Sequence, residues 1–225
     1  MDFSTFVGAA VHDMKNSVGV ITAYLEELLS HLPAGGEDGA LMQQTLHEAQ
    51  RVNGNLVQLM AIYKIERGLY PFNPEETDFA ELAAEALARV QPLARIRGMQ
   101  LETDIPADLP GWYCDRELIL SVVTQAIFNA LRYTRSRVVV GASVTEEGLA
   151  VRVDDDGAGF PAFMLRQDYL LQGIDTQTGS TGLGLYFALQ VAQLHRHGAK
   201  VGSTRIENLV HRDDIGGGRF ILTLP

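Results

Sequence analysis

Val7, Val11, Met14, Val18, Ile21, Leu25, Leu28 and Leu32 recur at alternating spacings of four and three residues. That is a heptad seam without a polar member. It fixes the start of the chain as a long helix with one face that must be covered. Pro33, Gly35, Gly36 and Gly39 break the run, and a second helical stretch then carries Leu46, Ala49, Val52, Leu56, Leu59 and Tyr63 along one side before Gly68. Two long helices joined by a short turn make a hairpin. A lone hairpin leaves much of its stripe wet, so the expected state is two copies closing a four-helix bundle. The alternative is that the stripe packs on the rest of the chain.

Pro71 and Pro74 mark a linker, after which the pattern becomes mixed helix and strand. The expected division is a hairpin over 1–68, a linker over 69–77 and a second domain over 78–225. Asp78 followed by Glu81 reads as a helix start, with Phe79, Leu82, Ala86 and Val90 as the apolar face. Gln100–Ile105 reads as a short strand, and Asp115 as the cap of a helix running to Tyr133. Arg137–Val144 and Leu149–Asp154 read as paired strands about a Glu146-Glu147-Gly148 turn. Leu183–His195 is expected to be helical, and Lys200–Ile206 with Arg219–Leu224 to complete the sheet. Strands and helices without regular alternation predict an α+β two-layer sandwich, an antiparallel-rich sheet covered by helices on one face.

Bulk properties exclude more than they assign. A net charge of -10 over 225 residues argues against nucleic acid as a partner. It leaves phosphate-bearing ligands open, since local amides, a metal and a few cations read those. The single cysteine, Cys114, can form no internal disulfide and no cysteine-rich zinc site, which fits a reducing compartment. No stretch approaches the roughly 20 continuous apolar residues of a membrane span, and no basic-then-apolar signal opens the chain, so no membrane contact is expected of this segment.

Four local features carry chemistry. The first is His12-Asp13-Met14-Lys15-Asn16. Val11 and Met14 face the seam, so His12 lies beside it toward solvent, and Asn16 follows one turn on along the same flank. A neutral imidazole is a competent nucleophile for a phosphoryl group near neutral pH, and Asp13 could hold its other nitrogen in the protonated tautomer. The second is the helical strip of Gln125, Asn129 and Arg132, with Ile127, Ala130 and Leu131 pointing inward. An asparagine oxygen suits Mg²⁺, and a nearby arginine can neutralise phosphate. The third is Asp155-Asp156-Gly157-Ala158-Gly159 directly after a strand, where glycines allow a flat ligand to approach and a carboxylate can accept from an exocyclic amine such as that of adenine. The fourth is Gly179-Ser180-Thr181-Gly182-Leu183-Gly184-Leu185, whose exposed amides at a helix start make an anion site. Taken singly, each has a plainer reading: a surface histidine, an amphipathic helix, an acidic turn and a common glycine-rich helix start.

In this order and spacing the four resemble the two-component sensor histidine kinase family. His12–Ser17 resembles its phospho-acceptor box, Gln125–Thr134 its asparagine box, and Asp155–Gly159 and Gly179–Leu185 its two glycine boxes. Gly216-Gly217-Gly218-Arg219-Phe220 with Leu224-Pro225 resembles its closing segment. The resemblance implies a dimerisation and phosphotransfer hairpin followed by a Bergerat-type ATP-binding domain. It implies that His12 is phosphorylated, that Asp13 is its acid-base partner, and that Asn16 orients a water when phosphate is removed from the partner. Asn129 would ligate Mg²⁺, with Gln125 beside it. Arg132 would contact phosphate, Tyr133 would stack near adenine, and Asp155 would bind the adenine amine. Gly157 and Gly159 would shape that pocket, while Thr181, Gly182, Leu183 and Gly184 would meet the phosphates. Residues 160–178 would be a lid.

The cofactors implied are ATP and Mg²⁺, and the partners a second copy and a response-regulator receiver domain. The segment would be cytoplasmic, alone or as the cytoplasmic part of a larger membrane-anchored sensor. Gln125 stands where the family usually has asparagine, Ser17 where proline is common, and the lid has no clear phenylalanine box, with Phe163 and Tyr169 as substitutes. Asn208–Gly216 is long and polar for a connection between the last strands, and reads as a surface hairpin or a partner contact. His31, His47, His195, His197 and His211 form no ligand-like group and receive no role. Two alternatives stand beside the kinase: a phosphotransfer or phosphatase regulator with little kinase activity, and a non-catalytic ATP-binding switch. The switch has no need of the His12 hairpin.

Overall fold

The computed structural model describes residues 3–31, 37–166, 182–211 and 214–225, and the chain divides into two compact units, Met1–Tyr70 and Pro71–Pro225. The first is a helical hairpin of α1 (Phe3–His31) and α2 (Glu37–Glu66). Gly8 lies against the Tyr63 ring, and Gln50 donates to Glu26, so the helices run antiparallel. Val11 is buried while Val18 and Leu25 are half-buried. The alternate seam members Met14, Ile21 and Leu28 stay 51 to 55% exposed within the unit. On α2 the buried residues are Ile62 and Gln58, and Val52 is exposed. Tyr63 of the expected stripe touches α1 at Gly8 and Leu46, Ala49, Leu56 and Leu59 are half-buried, while the most buried positions, Gln58 and Ile62, are not members of it.

The second unit begins with a short element inside the stretch expected to be a linker. β1 (Glu75–Thr77) pairs antiparallel with β3 (Trp112–Cys114), neither of which alternates strongly enough in hydropathy to be foreseen. α3 (Phe79–Ile96) starts at Asp78, whose Oδ1 accepts from the amides of Ala80 and Glu81, and the helix continues through Pro92. β2 (Gln100–Asp104), α4 (Arg116–Tyr133), β4 (Arg137–Thr145) and β5 (Gly148–Asp155) follow, then α5 (Leu183–Leu194), β6 (Arg196–His197), β7 (Lys200–Val201), β8 (Ser203–His211) and β9 (Asp214–Leu224). The main sheet has the order β2-β4-β5-β9-β8, with β2 and β4 parallel and the other pairs antiparallel.

One face of the sheet supplies the core. Val138, Val140, Leu149, Val151, Val153, Phe220, Leu222 and Leu224 are buried with Leu82 and Val90 of α3, Ile119, Val123 and Ile127 of α4, and Phe187 and Val191 of α5. Each such side chain contributes about 1.5–3 kcal/mol on burial. The other face is crossed by ion pairs. Arg219 is bidentate to Asp154 at 2.7 and 2.8 Å, and Arg152 meets both Asp154 and Asp104. Gly141 makes this possible, because its missing side chain leaves the space that the Arg152 guanidinium fills.

One expectation needs revision. Lys200–Ile206 is not one strand: it breaks at Gly202, whose amide bonds the His195 carbonyl and where a Cβ would strike the Ala192 carbonyl. Asn208–Gly216 belongs to a hairpin, with β8 and β9 paired through it and a register shift between Leu209 and Val210. Its tip, 212–213, lies outside the described residues. No helix among the described residues is long and apolar enough to cross a membrane.

His195, given no role from the sequence, is a buried structural joint. Its Nε2 accepts the Asp115 amide at 3.0 Å, and Nδ1 lies 2.8 Å from the Val191 carbonyl, which fixes the neutral tautomer with the proton on Nδ1. Asp115 in turn caps α4 through Leu118 and holds the Asn73 amide, and Phe72 packs edge-on against the imidazole. Burial lowers the His195 pKa below its ordinary value. The unfolded chain therefore takes up a proton near pH 6.5 that the folded chain resists. The stability contributed by the neutral ring is fully present above that pH and is lost as pH falls below it. Chemical denaturation at pH 7.5 and 5.5 should show the wild type losing stability on acidification. His195→Gln should cost about 1–2 kcal/mol at pH 7.5 and show a flatter dependence.

Candidate functional site

α4 is the spine of the site. Gln125, Asn129 and Tyr133 are spaced by four and form one stripe, with the apolar side of the helix against the sheet. At one end of the stripe Gly184, in the first turn of α5, sits where a Cβ would be 3.2 Å from Gln125 Cγ and 3.5 Å from Asn129 Nδ2. At the other end Gly157 sits so close to the Tyr133 carbonyl that any side chain would overlap it. Two glycines thus draw the start of α5 and the loop after β5 onto the same helix face. Gly182, at the N-cap of α5, holds φ +60°, and Gly159 holds φ +74°.

The consecutive aspartates beside this face have separate tasks. Asp155 Oδ1 accepts from the amides of Gly157 at 2.8 Å and Gly218 at 3.2 Å. Its Oδ2 has no recorded partner among the described residues. Burial raises the Asp155 pKa, with the two amides opposing. Asp156 turns the other way, to the loop between α4 and β4. It accepts from Thr134 and Ser136 hydroxyls and from the amides of Arg135, Ser136 and Arg137. Burial alone would raise its pKa, but these donors outweigh it and hold the carboxyl well below the usual range.

The third wall comes from β9. Gly218 follows the last β5–β9 pair, Asp154 opposite Arg219, and so stands next to Asp155, with Asn208 of β8 on its other side. A Cβ on Gly218 would lie 2.8 Å from Asp155 Oδ2 and 2.9 Å from the Phe160 ring. A carboxylate oxygen and an aromatic edge therefore pack onto Gly218 where any side chain would overlap them, so only glycine fits there. The stripe on α4 thus has the glycine-rich start of α5 at one end and the Asp155 loop, with Phe160 beside it, at the other.

Residues 114–225 match the family model described as histidine kinase-, DNA gyrase B- and HSP90-like ATPase. Its ATPase core is that of a sensor histidine kinase. Over 198 residues the chain is 27% identical to the adaptive-response sensory kinase SasA of Synechocystis sp., covering 82% of this chain and 51% of that protein. SasA of Prochlorococcus marinus subsp. pastoris is 28% identical over 131 residues, covering 55% of this chain and 35% of that protein. The chain thus spans about half the length, or less, of these relatives. Among solved structures, the Acinetobacter baumannii histidine kinase AdeS superposes with a TM-score of 0.62 at 19% identity, over 95% of this chain and 96% of that one. Full-length ShkA in complex with AMPPNP gives 0.68 at 15% identity, over 96% of this chain and 44% of that one. The second unit has the α+β Bergerat fold.

Within this ATPase core, Gly184 is brought against Gln125 and Asn129, and Gly157 against Tyr133 and Asp155, while Gly159 and Gly182 hold positive φ. Gln125 Nε2 reaches Asn129 Oδ1 over 3.4 Å, and the Leu183 side chain is buried. Arg132 lies over the exposed Tyr133 ring at 5.9 Å. Thr181, Tyr169 and the lid beyond residue 166 lie outside the described residues. His12, Asp13 and Asn16 are exposed on α1 of the other unit. The hydrogen bond from His12 to Asp13 considered from the sequence is not made among the described residues, because helix neighbours about 100° apart in azimuth do not face each other. Sequence reading missed Asp156 as an anchor and Asn208 and Phe160 as walls. The pairing of Asp155 with a glycine triplet before the final strand was the available signal.

Gly217 adds a backbone test of this wall. It holds φ +136° with its α-carbon against the Asp155 carbonyl, whereas Gly198 holds φ +59° in open space. Gly217→Ala should cost about 3 kcal/mol or more, and Gly198→Ala about 1 kcal/mol, as read by urea denaturation.

Proposed function

We propose that this chain is a protein-histidine kinase that transfers the γ-phosphoryl group of ATP to His12. The phosphoryl then passes to an aspartate of a response-regulator receiver domain, and Asn16 supports the reverse traffic by orienting water on the phosphorylated partner. The observation that carries the reading is Asp155 Oδ2, a half-buried acceptor beside Gly218 and Phe160 that has no hydrogen-bond partner among the described residues. A half-buried carboxylate oxygen of this kind suits an amine donor such as that of adenine. Tyr133 would cover the base, Arg132 would turn from it onto phosphate, and the α5 start, with the amides of Leu183 and Gly184, would receive phosphate charge.

Asn129 is the side chain that would hold Mg²⁺. Its Oδ1 meets only the long contact from Gln125 and is exposed, which fits an oxygen ligand shared with phosphates. No group of three His, Cys, Asp or Glu that could hold a metal occurs among the described residues, so nucleotide oxygens and water would complete the shell. The ion, when bound, supplies neutralisation of phosphate charge. The chain's own task is positioning: the base fixed by Asp155, the imidazole of His12 in line, a P–N bond forming as the bond to ADP breaks. Exposure of His12 beside the buried Val11 supports the acceptor role, because the ring is reachable while its backbone is anchored.

The exposed Met14, Ile21 and Leu28 support pairing of two hairpins into a four-helix bundle. Ile21→Glu should convert a dimer to a monomer in sedimentation equilibrium, and an unchanged wild-type monomer would remove the bundle.

Incubation of the purified chain with γ-labelled Mg-ATP tests the whole reading. Label should appear on His12, survive alkali, be released by acid, and vanish in His12→Ala. Asp155→Asn should abolish nucleotide binding by calorimetry while melting as a folded protein. Nucleotide binding without phosphohistidine would favour a phosphotransfer or phosphatase regulator. Absence of binding would remove the kinase.

A further inference from the structure

Asn208 makes a contact that no feature of the ATPase motif calls for. The Phe160 amide donates to Asn208 Oδ1 at 2.6 Å, and Asn208 Nδ2 donates to the Phe160 carbonyl at 3.0 Å. One side-chain amide thus satisfies both backbone groups of a residue that belongs to no strand. The arrangement needs one donor and one acceptor on the same short side chain, which among the twenty residues asparagine supplies best. Asn208 stands opposite Gly218, on the β8–β9 extension that runs beyond the core of the sheet. The two bonds hold Phe160 so that its ring packs on Gly218 next to Asp155 Oδ2.

We propose that Asn208 is a positioning residue for nucleotide recognition, fixing Phe160 as the apolar wall beside the Asp155 carboxylate. The inference rests on the nucleotide-binding reading given above. A wall at this place keeps water from the carboxylate and strengthens a hydrogen bond from a base amine in the resulting low-dielectric pocket. Without the clamp the Phe160 backbone exchanges with water and the ring loses its fixed place. The effect belongs to the base end of the ligand, so it should be the same for adenosine, ADP and ATP.

The test is titration calorimetry on the full chain with Mg-ATP, ADP and adenosine, for wild type, Asn208→Ala, Asn208→Asp, Phe160→Ala and the Asn208→Ala/Phe160→Ala pair. Asn208→Ala should weaken all three ligands by about tenfold, the loss of one to two hydrogen bonds. Asn208→Asp, which keeps the acceptor only, should fall between. On the Phe160→Ala background, Asn208→Ala should cost nothing further, because the residue acts through that ring. Full additivity, or an undiminished affinity in Asn208→Ala with wild-type binding intact, would overturn the proposal while leaving the kinase reading standing. A wild type that binds none of the three overturns both. If circular dichroism shows Asn208→Ala unfolded, the decision passes to Asn208→Asp, with and without Phe160→Ala: loss confined to the Phe160 background supports the clamp, and loss in both defeats it.

Discussion

Asp156 accepts from five donors on the turn between α4 and β4, and the rest of the site depends on that turn being held. The loop after β5 has to reach the end of α4 closely enough for Gly157 to touch the Tyr133 carbonyl. Such proximity would strand the first amides of β4 without partners. Asp156 supplies those partners in one carboxylate, and the donors in turn keep it ionised. Removing it would take away at once the shared partner of three backbone amides and two hydroxyls, a larger disturbance of the turn than losing one ion pair. Charge on Asp156 and shape at Gly157 are two parts of the same junction.

The run Asp154-Asp155-Asp156 shows how strand geometry separates identical side chains. Asp154 points to the open face of the sheet and joins Arg219 and Arg152 in the ladder there. Asp155, one residue on, points to the opposite face, where burial raises its pKa and two amides offset only part of the desolvation. Asp156 leaves the strand altogether and ends on the turn. Alternation alone gives the first two their different neighbours. A carboxylate that is costly to keep charged is one that gains most from a ligand donor, so the residue least satisfied by the protein is the one suited to hold a base.

The hairpin seam, the caps at Asp78 and Asp115, and the β4–β5 pair were legible in the chain because each is a local pattern of side chains that physics reads directly. The stripe of Gln125 and Asn129 with Asp155 and Gly184 was legible for a different reason, its resemblance to a known order of motifs. What escaped was long-range. β1 and β3 are three residues each and pair only with one another, so neither builds a readable period. His195 looked idle because its partners, Asp115 and Phe72, are remote in sequence. The α2 stripe included Tyr63, which meets Gly8 of α1, but passed over the buried Gln58 and Ile62, because hydropathy spacing marks apolar positions and not the atoms that touch the neighbour.

The β8–β9 extension makes the same point from the other direction. Judged by composition, Asn208 to Gly216 is a polar surface excursion, and nothing in its hydropathy distinguishes one asparagine from any other polar residue. Pairing converts position into chemistry: once β8 is registered on β9, Asn208 is fixed opposite Gly218, and the glycine's missing side chain opens a path from Asn208 to Phe160. An asparagine one residue earlier or later would project from the other face of the sheet, toward the ion-pair ladder where Glu207 meets Arg219. Register, which no local window of sequence encodes, is what brings that amide to the Phe160 backbone.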